Sequence, residues 1–194
     1  MTWLLALTLM QDAPSQADRV REAMAASLEK QRASVRRQVE ALAAVRPAQA
    51  PETYLVRHVV PSFGCDPIPQ PELKEMIDGA AQRQGVDPAL VREVARQESG
   101  FRPCVVSPKG AEGLMQLMPA TQADLSVVNP FDAKESLEAG SKLLKDLLDR
   151  YHGDLSLALS AYNAGAGRVD RAGGIPEIPE TKTYVIDILG RLLQ

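Results

Sequence analysis

The stretch from Asp87 to Gly100 constrains this chain more than any other, because it carries both ends of a helix and sets an acid on its apolar stripe. Asp87 can cap, Pro88 suits a first helical position, and Gly100 can end the helix, so a helix is expected from about Pro88 to Ser99. Val91, Val94, Ala95 and Glu98 recur at i, i+3, i+4 and i+7, so the glutamate shares the core-facing side while Arg92, Glu93 and Arg96 are expected to face water. Glu98 also falls in the last turn, at the negative end of the helix dipole. Poor solvation and the helix terminus both disfavour its anion, which keeps the carboxyl protonated near neutral pH, as a general acid must be. A half-buried glutamate paired with an arginine would leave the same pattern, so this segment alone keeps both readings open.

The remaining periodicity is helical as well. Leu73, Met76, Ile77, Ala80 and Ala81 line one face of a helix that stops near Gly85. Leu137, Leu143, Leu144, Leu147, Leu148 and Tyr151 line a longer one stopped by Gly153, and Asp154 caps Leu155 to Tyr162. Val185, Ile188, Leu189 and Leu192 mark a last helix, and no segment shows sustained strand alternation. The fold class expected is therefore all-α.

The N-terminal part reads differently. Residues 1–14 open on a short apolar run, too brief to span a bilayer but of the length of a secretory signal segment, with no Lys or Arg before it. Residues 15–46 are rich in Ala, Arg, Gln and Glu, with Leu28, Val35 and Leu42 spaced by seven, which predicts an amphipathic helical extension packed on the domain or serving as a partner-binding arm. Gln31 and Gln38 interrupt that seam and argue against a strict coiled coil. Prolines 47, 51, 61, 67, 69 and 71 punctuate a linker over 47–70, leaving 71–194 as the globular domain. A net charge of -3 without a dense basic run argues against nucleic acid as a main partner.

Three further segments carry the chemistry. Residues 101–119 are rich in Gly and Pro yet hold apolar residues that want burial, which reads as an ordered loop beside a groove. Ala161-Tyr162-Asn163-Ala164-Gly165 ends a short helix with an aromatic hydroxyl and an amide, and Pro179-Glu180-Thr181-Lys182-Thr183-Tyr184-Val185 opens the last helix. Glu98-Ser99, Ser107, the run Gly113-Leu114-Met115-Gln116-Leu117-Met118-Pro119, the 161–165 motif and Glu180 with Tyr184 stand at spacings that resemble the soluble lytic transglycosylase family, related to goose-type lysozyme. The resemblance covers roughly Pro71 to the C-terminus. Ala166 stands where the family commonly has proline and Val105 where it has alanine.

The resemblance implies a lysozyme-like helical domain, export to the periplasm or cell envelope, and peptidoglycan glycan strands as substrate. It implies that Glu98 is the catalytic residue, that Tyr184 hydrogen-bonds near it, that Ser107 and Gln116 contact sugar substituents, and that Tyr162 and Asn163 form part of the groove wall. Met115 and Glu180 join the auxiliary set, although a methionine such as Met115 is more often core filler than a sugar contact and Glu180 suits a helix first turn. Phe101 could stack on a sugar or pack inside, and Ser99 could simply cap a helix end. The chain has two cysteines, Cys65 and Cys104, which an exported protein would join; two buried thiols are the alternative. His58 and His152 are too scattered to build a metal site with them, and no cofactor is implied.

Ordinary glycoside hydrolysis wants a second carboxylate across the sugar ring, and neither Glu112 nor Glu180 is a convincing candidate. A single-carboxylate site fits the family's non-hydrolytic reaction, in which the muramic acid's own C6 hydroxyl replaces water and a 1,6-anhydromuramyl end results. A muramidase using water at the same site, and a non-catalytic wall-binding or secretion-assembly module, are the alternatives.

Overall fold

The computed structural model describes residues 65–194, together with Ala33 and Arg37, which are helical and exposed. The expected signal segment and the rest of the helical extension and linker before Cys65 lie outside the described residues. Seven helices make up the domain among the described residues: α1 (Gln70–Gln84), α2 (Pro88–Ser99), α3 (Pro119–Asp124), α4 (Ala133–Arg150), α5 (Leu155–Ala164), α6 (Ala166–Ala172) and α7 (Pro179–Leu192). Two isolated bridges, Val106 with Glu112 and Glu112 with Leu117, pin the loop between α2 and α3, and no strand forms among the described residues.

Aspartates open three of the helices, Asp87 and Asp154 as the sequence predicts and Asp132 besides. Asp87 accepts a hydrogen bond from the Ala89 N–H at 2.8 Å, Asp132 from Glu135 at 2.9 Å and Asp154 from Leu157 at 3.0 Å, each satisfying a donor that the first turn leaves unpaired. Pro71, where the globular domain is expected to begin, sits in the first turn of α1, where its missing N–H costs nothing. The short helices α3 and α6 were not anticipated, since six and seven residues are too few to show a period.

Helix α5 lies at the centre, packed against α4, α6 and α7, while α2 packs on α1, α4 and α7. Leu73, Ile77, Val91, Val94, Leu137, Leu144, Leu159, Ile188 and Leu189 are fully withdrawn from solvent, each worth about 2 kcal/mol of burial. Met76, Leu143, Tyr151 and Leu192 pack around this core half-buried. Glu93 departs from expectation: it is buried, not solvated, because Arg191 of α7 reaches it.

Cys65 and Cys104 form a disulfide with Cα atoms 5.8 Å apart, which ties the segment before α1 to the loop after α2. The backbone bond from Ile68 N–H to the Phe101 carbonyl, 3.0 Å, reinforces that tie. Closing a loop of 39 residues is worth about 4 kcal/mol in the chain-entropy picture.

Candidate active site

Glu98 occupies the last turn of α2 and is half-buried, with one side still open to solvent. The Tyr184 hydroxyl on α7, a neutral phenol, donates to Glu98 Oε1 at 2.7 Å. Burial lifts the Glu98 pKa from 4.5 to about 7; the Tyr184 hydrogen bond opposes this and the nearby Glu180 carboxylate adds to it. Burial and the neighbouring Glu98 both hold the Tyr162 and Tyr184 hydroxyls well above 10, so each remains a protonated donor. Such a carboxyl is poised to give up a proton and to take one back near neutral pH.

The loop from Phe101 to Met118 comes against α2 and α5 through its own backbone. Ser99 Oγ donates to the Leu114 carbonyl at 2.8 Å, with the Ala95 carbonyl also 3.1 Å away, and the Tyr162 hydroxyl donates to the Met115 carbonyl at 2.9 Å. Gly113 is required there: its φ is +78°, and a Cβ at this position would lie 1.9 Å from the Pro130 carbonyl oxygen. Gly140 likewise leaves room for Met115, whose side-chain atoms would stand 2.7 Å from an added Cβ.

The auxiliary residues divide into those brought near the acid and those drawn into the scaffold. Tyr184, Tyr162 and Glu180 are coupled to Glu98 by hydrogen bonding or charge. Asn163 Oδ1 accepts from Thr181 Oγ1 at 2.7 Å, joining the end of α5 to the first turn of α7. Ser107 is half-buried and its Oγ accepts from the Ala111 N–H at 2.9 Å, holding a turn beside Lys109. Met115, expected among the substrate contacts, is a correction: its side chain is fully buried in the core, and only its backbone carbonyl serves this region. Gln116 is also buried, and its amide nitrogen is committed to the Val105 and Gly113 carbonyls at 2.9 and 2.8 Å, so it shapes the loop from inside. Phe101 packs in the core, with the Arg96 guanidinium 5.5 Å above its ring.

Three neighbours escaped the sequence reading. Lys109 pairs with Glu180 at 3.2 Å, linking the Ser107 turn to α7, and Thr181 is buried beneath Asn163. Arg191 binds Glu93 and Gln97. Each involves partners far apart in the chain, which local spacing does not reveal. Among the described residues, no group of acids, histidines or cysteines could hold a metal ion.

The chain is 43% identical over 96 residues to a transglycosylase of Enterobacteria phage PRD1, covering 50% of this chain and 36% of that relative. It is 35% identical over 108 residues to membrane-bound lytic murein transglycosylase F 1 of Alkalilimnicola ehrlichii, covering 53% of this chain and 22% of the relative. The chain thus spans little more than a third, or less, of these relatives' length. The structure of an inactive glutamate-to-glutamine mutant of the lytic transglycosylase Slt from Pseudomonas aeruginosa overlays at a TM-score of 0.54 and 24% identity, covering 62% of this chain and 24% of that one. The complex of a 70-kDa soluble lytic transglycosylase with bulgecin A overlays at 0.54 with 27% identity, covering 61% and 24%. These neighbours share the lysozyme-like helical fold expected from the sequence. The sequence model described as the transglycosylase SLT domain matches residues 75–185, more than half of the 194, and the chain belongs to that family.

Proposed function

We propose that this chain is a peptidoglycan lytic transglycosylase, cleaving the β-1,4 bond between N-acetylmuramic acid and N-acetylglucosamine without water. The observation that carries this reading is the Glu98 carboxyl, raised to about 7 and held by a phenol. Protonated Glu98 gives its proton to the departing N-acetylglucosamine O4 as the bond to muramic acid C1 breaks. The muramyl acetamido oxygen supports C1 from the other face. Glu98, now a carboxylate, takes the proton of the C6 hydroxyl while O6 bonds to C1, closing the 1,6-anhydro ring and returning the acid to its first state. Using the substrate's own hydroxyl gives the attack a high effective concentration.

The neighbours fit that cycle. The Tyr184 hydrogen bond steadies the anion formed halfway through, while Glu180 keeps the carboxyl from ionising too readily. Ser107, Tyr162 and Asn163 contribute sugar contacts and one wall of the substrate site, and Gln116 shapes the loop that carries them. The relatives named for murein support peptidoglycan strands as the substrate. The disulfide supports an exported, periplasmic or envelope location, where such bonds persist. The division into a signal segment over 1–14, a helical extension over 15–46, a linker over 47–70 and a catalytic domain over 71–194 belongs to the same proposal.

The test is solubilisation of purified sacculi by wild type and by Glu98→Gln. Wild type is expected to clear the suspension while the variant binds without clearing it. If both behave alike, the chain is a wall-binding module and the enzymatic reading fails.

A further inference from the structure

Glu98 and Tyr184 do not form the only polar link between α2 and α7. On the same pair of helices, the Arg191 guanidinium donates through Nε to Glu93 Oε2 at 2.7 Å and through its Nη2 to Gln97 Oε1 at 2.6 Å. Arg96 adds a longer contact to Glu93 at 3.4 Å. Glu93 pairs with Arg191 and Glu98 with Tyr184, so the two helices run antiparallel. The five residues from Glu93 to Glu98 rise about 8 Å, and the seven from Tyr184 to Arg191 about 10 Å. Two attachments at that spacing leave little freedom for α7 to slide or turn against α2.

We propose that Arg191 is a positioning residue for the Glu98 reaction: by gripping Glu93 and Gln97 on α2, it sets the register in which Tyr184 meets the acid. An ion pair this withdrawn, with the Glu93 side chain 10% and the Arg191 side chain 27% exposed, is a poor source of stability, because desolvation offsets most of the attraction. What such a pair supplies is a defined geometry, since the guanidinium fork accepts few orientations. A duller role is available, as Arg191 lies in the last turn of α7, where a cation suits the helix dipole. That role would require neither Glu93 nor Gln97.

This inference rests on the proposed glycan cleavage, and a double-mutant cycle on the full chain separates the two. kcat and KM are measured on soluble, uncrosslinked glycan strands for wild type, Arg191→Met, Tyr184→Phe and the double variant. Arg191→Met is expected to lower kcat about tenfold with KM within about twofold, as displacement of the acid's partner does. In the Tyr184→Phe background the same change is expected to cost less than about twofold, because the bond it positions is already gone. Arg191→Lys, which keeps a cation beside Glu93, recovers part of the loss, and it replaces Arg191→Met in the cycle if that variant does not fold. An equal loss in both backgrounds, or a loss carried by KM, overturns the inference while leaving the enzymatic reading intact. A wild-type chain that cleaves no glycan overturns both.

Discussion

Replacing Glu98 by glutamine should make the protein more stable, by an amount that depends on pH. Glu98 titrates near 4.5 when unfolded and at about 7 when folded, so between those values the native state holds a proton that the unfolded state has released. Stability contributed by this group therefore falls as pH rises from 4.5 to 7, and above 7 the full penalty of keeping an anion in that setting is present. At about 1.36 kcal/mol per unit the penalty reaches about 3 kcal/mol, an upper value because the carboxyl keeps one side toward water. Glutamine retains an oxygen for the Tyr184 hydroxyl and carries no charge, so it escapes the penalty. Urea unfolding of wild type and Glu98→Gln, followed from pH 4 to 8.5, is expected to show curves that nearly coincide at the acid end. They should then diverge to about 2 to 3 kcal/mol in favour of the variant, or about 4 to 10 °C in Tm. A difference independent of pH, or a less stable variant at pH 8, would refute the assignment of Glu98 as a carboxyl destabilised by burial.

Other perturbations follow from the same contacts. Tyr184→Phe removes the bond that favours the Glu98 anion, so the basic limb of the kcat/KM profile should move upward by about one pH unit; an unmoved or lowered limb contradicts this role. Reduction of the Cys65–Cys104 bridge should lower stability by about 4 kcal/mol, read as a fall in Tm under reductant, and an unchanged Tm would mean the bridge constrains nothing. Gly113→Ala must both strain a backbone at φ +78° and push on the Pro130 carbonyl, so a loss of at least about 2 kcal/mol is expected in chemical unfolding, and a neutral effect would show the loop to be loose.

Much of this architecture was legible along the chain, and what was hidden has a common cause. Helices bounded by Asp87 and Gly100, or opened by Asp154, announce themselves because cap chemistry and periodicity are local. The placement of Glu98 on an apolar stripe was visible for the same reason, and so was the order of the motifs around it. Glu93 was misjudged because it flanks that stripe, and its burial depends on an arginine 98 positions later. In the loop from Phe101 to Met118 no period tells which side chains turn inward, so the packing of Met115 against Gly140 and the bonds from Gln116 to two carbonyls have no signature in spacing. The pairing of Lys109 with Glu180 spans 71 positions and has no signature in spacing.

The most direct measurement of the central claim is the mass of the fragments that wild-type protein releases from purified sacculi. The proposed internal attack by the C6 hydroxyl predicts muropeptides ending in 1,6-anhydromuramic acid, lighter by one water than their reducing counterparts, and none from Glu98→Gln. Reducing ends from the wild type would mean that water is the nucleophile and that the internal attack by the C6 hydroxyl does not occur.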